Sequence, residues 1–245
     1  MDYLLTDAWV DPPGMETCYS EQLVRLPKSF CCYRPPHESP PVNALPAESR
    51  GDITFASLNN PAKLNEQVIA LWATLLTALP TSRLILQAKA FADARTCALF
   101  RERFARHGIA GVRIEMLATM NFQEHLAVYH VVDIALDPFP WCGHTTSCHA
   151  LWMGVPVITL PNDRHAGRMT ASVLHNIGLP EYIADSPDDY IKIAQRLSQD
   201  PQHLSDLRHG LRARMQASAL CDGAAFTQEL EATYRELWRR WCEKS

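Results

Sequence analysis

A chain of 245 residues is long enough to bury a sizeable core, as one large domain or one domain with extensions. Its formal charge of -4 excludes a general attraction for nucleic acid, so any nucleotide site has to be local. No run approaches the ~18 apolar residues of a membrane span, and Met1-Asp2-Tyr3-Leu4-Leu5-Thr6-Asp7 lacks the basic and apolar parts of a signal peptide; together these point to a cytoplasmic protein with no membrane partner.

Residues 1–50 carry Pro12, Pro13, Pro27, Pro35, Pro36, Pro40, Pro41 and Pro46, and each forbids a helix interior or a central strand. This stretch is expected to run extended over a surface as a linker, or as the frayed end of something larger. Only residues 19–26 have the composition for a short helix. From Asp52 onward, strand-like apolar runs alternate with amphipathic helices. Strands are expected at 53–58, 84–86, 112–116, 131–136, 156–160 and 181–184. Helices are expected at 64–79, 91–106, 122–130, 145–153 and 164–176, the last with Gly178 in its C-cap position. Such alternation with short connections implies an α/β fold, a Rossmann-like parallel sheet with helices on both faces. Near the end, Phe226, Leu230, Tyr234, Leu237, Trp238 and Trp241 form a wide aromatic stripe on one helix. That stripe covers either the lobe's own sheet or a second lobe or chain.

Ligands of open parallel sheets bind beyond the carboxyl ends of the strands, and three loops there carry suitable chemistry. In the run from Leu136 to Thr146, prolines fix a loop, Gly143 allows close backbone approach, and His144, Thr145 and Thr146 open a helix. Free N–H groups, hydroxyls and the positive helix end suit a phosphate there, whereas the plainer reading makes Thr145 a helix cap. In Asn59-Asn60-Pro61-Ala62-Lys63, a lone lysine opposes the helix dipole unless a diphosphate reverses the penalty; alone it reads as a solvated surface lysine. In Met120-Asn121-Phe122-Gln123-Glu124-His125, the histidine sits early on a helix, positioned to donate to a phosphate or stack near a base, or simply to serve structure. The eight cysteines include Cys31-Cys32 and the pair Cys142 and Cys148 but no C-x-x-C, so they read as reduced thiols and no metal is expected.

The run from Asp137 through Gly143-His144-Thr145-Thr146 to Ala150-Leu151-Trp152-Met153-Gly154-Val155-Pro156-Val157 resembles the O-GlcNAc transferase family. So do the segment from Asn59 to Trp72 containing Lys63, and the pair Glu124-His125. The resemblance implies a GT-B architecture of two Rossmann-like lobes, of which this is the C-terminal one. It implies a UDP-sugar donor, UDP-N-acetylglucosamine in the family, and inverting transfer to Ser or Thr of a protein acceptor, without a cofactor or bound metal. It further implies that Lys63 neutralises the leaving diphosphate, with His125 also catalytic. Asn60, Met120, His125, Gly143, His144, Thr145, Thr146 and His149 would line the donor. On this reading 1–50 is the linker and end of a missing N-terminal lobe, needed in cis or in trans. Residues 51–222 are then the nucleotide-sugar lobe, and 223–245 an aromatic helix packed on the other lobe or a partner. Three departures concern the nucleotide: His149 stands where the family has a ribose-holding aspartate, Phe122 where a basic residue is common, and Val128 where arginine is frequent. Trp141 is bulky near the expected acyl group of the sugar. These departures motivate an alternative, a catalytically silent nucleotide-sugar-binding or scaffold module. A sugar-nucleotide epimerase fits the Gly143–Thr146 pattern poorly, and no G-x-G-x-x-G follows a strand as a dinucleotide dehydrogenase requires.

Overall fold

The computed structural model describes residues 2–118 and 121–244. Seven strands run through them in chain order: β1 (Tyr3–Asp7), β2 (Gln22–Leu26), β3 (Thr54–Ser57), β4 (Arg83–Gln87), β5 (Ile114–Leu117), β6 (Ile134–Leu136) and β7 (Val157–Ile158). The helices are α1 (Pro46–Arg50), α2 (Glu66–Ala78), α3 (Ala94–Ala105), α4 (Phe122–Ala127), α5 (Thr145–Trp152), α6 (Met169–Asn176), α7 (Pro187–Gln199), α8 (Pro201–Gln216) and α9 (Gly223–Lys244).

The main sheet has the order β5-β4-β3-β6-β7, and every pair in it is parallel. β3 is buried along its whole length, as expected of a central strand covered on both sides. The chain moves outward from β3 through β4 to β5, then returns to the other side of β3 for β6 and β7. Right-handed crossovers in opposite directions put their helices on opposite faces. The contacts agree: α2 packs on α3 and α7, whereas α5 packs on α6 and α8. The reversal of direction falls between β3 and β6, where a doubly wound sheet leaves its ligand crevice. This is the architecture expected from the alternation of apolar runs.

Two local expectations fail. Residues 181–184 make no strand, only an isolated bridge between Thr159 and Ile183. Residues 22–26 are a strand, not part of a helix, because β2 finds a parallel partner in β1 with Tyr3 opposite Gln22 and Asp7 opposite Leu26. That pairing is long-range and outweighs local propensity. Nor does the N-terminal stretch hang free. Buried Asp7 accepts from the N–H groups of Trp9, Val10 and Phe30 and from the Ser172 hydroxyl on α6. Farther on, the buried Arg208 guanidinium on α8 donates to Asn43 O, Asn43 Oδ1, Tyr129 O and Val132 O. Both ends of the proline-rich stretch are thus fastened to the lobe. Gly178 follows α6 at φ 71°, the left-handed conformation expected after a helix end.

The C-terminal helix α9 leaves Tyr234, Trp238 and Trp241 exposed, Trp238 by 63%. Together with Leu237 and the β1 residues Tyr3 and Leu5 they line an apolar groove of about 460 Å3. No helix among the described residues is long and apolar enough to cross a membrane.

Candidate donor site

The switch point brings together the loops after β3 and β6. In the first, Asn60 opens a 3-10 turn (Pro61–Lys63) by accepting from the N–H of Ala62. Asn65 then caps α2 by accepting from Val68 N, while its amide donates 2.9 Å to Phe139 O. This double role of Asn65 locks the β3 loop against the β6 loop. It also aims Lys63, whose ammonium donates to Cys142 O at 2.7 Å and lies 5.9 Å from the centroid of the Trp141 ring. An ammonium has three donors, so most of its capacity is not used by that carbonyl.

In the second loop the chain after β6 is held from below. Asp137, fully buried, accepts the Gly143 N–H at 2.6 Å with Oδ1 and the Thr159 hydroxyl at 2.7 Å with Oδ2. Burial pushes its pKa up to about 6, against the opposing pull of those hydrogen bonds and of Lys63. Gly143 is needed for a reason other than approach to a ligand. A Cβ there would stand inside contact distance of Ser147 Oγ and 2.9 Å from Asp137 Oδ1. The Gly143 N–H therefore points into the protein, and this donor is not one that a phosphate can use.

The helix end beyond it is different. The N-cap of α5 is His144, which makes no side-chain capping bond, so Thr145 is not the cap of the plainer reading. Among the described residues no side chain caps the opening turn of α5, and a helix N-terminus of this kind favours a nearby anion. Thr145, Thr146 and His149 lie on one face of the helix by their spacing. His144 itself turns toward the N-terminal segment, its Nε2 3.1 Å from Cys31 Sγ and its ring stacked on Phe30 at 5.3 Å. Burial, then the positive neighbours His165 and Lys63, lowers its pKa.

A third wall comes from β4 and α4. Asn121 and Glu124 form a reciprocal capping box that fixes the start of α4 and with it His125. His125 Nδ1 is 2.8 Å from Gln87 Oε1 at the end of β4. An amide oxygen only accepts, so Nδ1 carries the proton and Nε2 of the neutral ring is an acceptor. Burial lowers the pKa of His125, favouring that neutral form. Gln87 was not singled out in the sequence. Its one signal was a polar residue ending an otherwise apolar strand at the carboxyl edge.

Asn60, His125, Thr145, Thr146 and His149 line one cavity of about 430 Å3, together with Gln87, Asn121 and Phe122. Lys63 stands beside it on the Cys142 carbonyl, Gly143 is buried behind it, and His144 faces away. Met120 lies outside the described residues. Asn59, buried at the cavity's inner wall, has an Oδ1 with no hydrogen-bond partner among the described residues. Among the described residues no group of three or more His, Cys, Asp or Glu side chains is arranged to hold a metal ion. All eight cysteines are free thiols.

His149 packs edge-on against Phe122 at 5.3 Å and against His125 at 5.9 Å. Burial first, and the neighbouring His125 second, push its pKa down to about 4. A histidine whose folded pKa is below its unfolded value contributes stability that is present above about pH 6.5 and is lost as pH falls toward 4. After allowance for solvent screening we expect about 1–2 kcal/mol from this residue. Other buried histidines act in the same direction, so the check is a difference. Urea unfolding at pH 7 and pH 4.5 should show a shallower pH slope for His149→Asn than for the wild type, and equal slopes would refute the assignment.

Comparison with known proteins shows the family and the fold. The sequence model of glycosyl transferase family 41 matches residues 43–230. A Petunia hybrida protein named probable UDP-N-acetylglucosamine--peptide N-acetylglucosaminyltransferase SPINDLY is 42% identical over 248 residues, covering 99% of this chain and 26% of its own length. The solved structure of an O-GlcNAc transferase mutant from Thermobaculum terrenum superimposes with a TM-score of 0.91 at 38% identity, covering all of this chain and 46% of that one. Sucrose-phosphate synthase from Thermosynechococcus elongatus shares the fold alone, with a TM-score of 0.63 at 14% identity. The chain thus spans about a quarter of the length of the curated relative it matches.

Proposed function

Because the chain belongs to glycosyl transferase family 41, we propose that it is the donor-binding lobe of a protein O-glycosyltransferase. The donor is a nucleoside-diphosphate sugar, with UDP-N-acetylglucosamine the first candidate, and the acceptor is a Ser or Thr hydroxyl of a protein. One observation carries the reading. The Lys63 ammonium bonds the carbonyl of Cys142, in the loop that leads into α5, and this tie between cation and loop supports a shared diphosphate. Departure of the nucleotide concentrates negative charge on the outer phosphate, and preorganised donors aimed there lower the barrier. Lys63 and the first turn of α5 take this role without calling on a metal. The displacement at the anomeric carbon is read as inverting, in line with the family relationship. The nucleoside occupies the 430 Å3 cavity. There, His125 offers Nε2 as an acceptor for a ribose or base donor, a better match than a phosphate oxygen while the ring is neutral.

The rest of the enzyme is a second lobe, in cis or in trans. The relatives' length and the apolar groove between β1 and α9 support this part. A cytoplasmic setting, with every cysteine a free thiol, belongs to the same reading.

Calorimetry with UDP, GDP and their common hexose derivatives tests it. At least one diphosphate should bind at micromolar to sub-millimolar concentration, with the same affinity in EDTA. Absence of heat at millimolar concentration of every nucleotide would end the proposal. His149 and Phe122 present an apolar wall where the family commonly has charged residues, which favours one second reading, a nucleotide-sugar-binding module without transfer. Sugar transfer to a peptide when the chain is combined with a family N-terminal lobe would rule that reading out.

A further inference from the structure

A fourth loop, after β7, reaches the same rim. It carries His165 in a 3-10 turn (His165–Gly167) and is tied to the phosphate-facing turn. The Cys142 N–H donates to Ala166 O at 3.0 Å and the Asn162 amide donates to Pro140 O at 2.6 Å. Cys142 also seats the Lys63 ammonium with its own carbonyl, so His165 adjoins the residue, Ala166, that holds the cation's seat.

The imidazole is oriented by a buried carboxylate from the N-terminal segment. Asp11, with no exposed side-chain surface, places Oδ2 2.8 Å from His165 Nδ1. The same carboxylate accepts from the hydroxyls of Thr6 and of Tyr19, the latter at 2.6 Å, and Arg25 fixes its backbone carbonyl. A carboxylate held by so many donors accepts only, so His165 Nδ1 carries a proton and Nε2 is the ring nitrogen left for another partner. Burial alone would raise the pKa of Asp11, but the hydrogen bonds from Thr6, Tyr19 and His165 together outweigh it, so the pKa is lowered and the carboxylate stays ionised. The His165 side chain is 28% exposed, and no described residue bonds its Nε2. Phe30 meets the His165 ring edge-on at 5.3 Å and stacks on His144 at the same distance, so the two imidazoles flank one phenyl ring.

The order of the strands gives this pair a direction. The nucleoside cavity lies on the β3, β4 and β5 side, lined by Gln87, Asn121 and Phe122. A diphosphate spanning the switch point therefore carries its sugar the other way, toward β7 and the loop that follows it. We propose that His165, held in one orientation by Asp11, forms part of the sugar end of the donor site and hydrogen-bonds a hydroxyl of the bound hexose through Nε2. This inference rests on the donor-site reading above and assigns to the lobe a specificity element absent from the three loops recognised in the sequence.

The test separates sugar from nucleotide. Affinities of UDP and UDP-N-acetylglucosamine, and of GDP and GDP-mannose, are measured by calorimetry for the wild type, His165→Ala, His165→Gln and Asp11→Asn, using whichever pair the wild type binds. His165→Ala should weaken the sugar nucleotide about 5- to 10-fold, the loss of one net hydrogen bond, and change the parent diphosphate less than about twofold. His165→Gln, whose amide can donate or accept, should recover part of the loss, and Asp11→Asn should show a smaller loss confined to the sugar nucleotide. Retained diphosphate affinity also reports that each variant is folded. Equal weakening of both ligands would make His165 a brace of the phosphate-facing turn and overturn the proposal, as would no change in either. A wild type that binds no nucleotide would instead overturn the donor-site reading beneath it.

Discussion

Lys63→Ala is expected to weaken binding of a nucleoside diphosphate by about 30- to 150-fold while costing less than about 1 kcal/mol of stability. The affinity loss follows from removing charge-assisted hydrogen bonds to phosphate, worth about 2–3 kcal/mol together. The small stability loss follows from what Lys63 does in the free protein: its recorded hydrogen bond is to Cys142 O, in a part-exposed position, and its contact with Trp141 is at 5.9 Å. Ligand affinity and fold are thus separable at this residue, which is rarely so for a buried site. Lys63→Arg should recover little, because a planar fork cannot replace a compact ammonium seated on a single carbonyl. Calorimetric titration at two ionic strengths, with thermal unfolding alongside, is the measurement. The wild-type affinity should fall with salt and the variant's should fall less. A variant with wild-type affinity would remove the cation from the site and with it the central support of the proposed function.

Lys63 stands out in the sequence alone, and the reasons show which features a sequence reveals. A lysine just after a strand and just before a helix sits against the dipole without apparent benefit, and that local conflict marked it. The main sheet was legible in the same way, since a periodicity that switches between strand and helix repeats needs no knowledge of distant residues. What failed was decided by partners far along the chain. β2 reads as a plausible short helix until β1, nearly twenty residues earlier, supplies its parallel register. The proline-rich stretch reads as a loose cover until Arg208, more than 160 residues later, clasps Asn43. The donor loops divide likewise. Thr145, Thr146 and His149 share a helix face by spacing alone, so their grouping was foreseeable. The inward N–H of Gly143 depends on Asp137 and Thr170, and the outward turn of His144 on Phe30 and Cys31. Gln87 was hidden for a simpler reason: one polar residue at a strand end carries no pattern.

Gly143→Ala should be the most damaging single-methyl change in the site. The added carbon meets Ser147 Oγ and Asp137 Oδ1, and neither can step aside. Ser147 Oγ is engaged 2.9 Å from Thr170 Oγ1, which in turn donates 3.0 Å to Gly143 O. Asp137 is buried and already holds the Gly143 N–H and the Thr159 hydroxyl. Relief therefore requires the turn itself to lift, which breaks the hydrogen bond to Asp137 and leaves a buried acceptor short of a donor. Overpacking and that lost bond together predict about 2–3 kcal/mol of destabilisation, a fall in melting temperature of roughly 4–12 °C for a chain of this size. The functional loss should be larger than the structural one. The turn carries both the Cys142 carbonyl that seats Lys63 and the opening of α5, so moving it displaces at once the two elements proposed to hold the phosphate. We expect diphosphate affinity to drop by at least about 100-fold even at temperatures where the variant is fully folded, because misplacing preorganised donors by an ångström forfeits most of their benefit. A double variant with Lys63→Ala should bind no more weakly than the worse single one, since both act on one arrangement. Additive losses would mean that the cation and the turn contribute independently to binding and do not form one coupled arrangement.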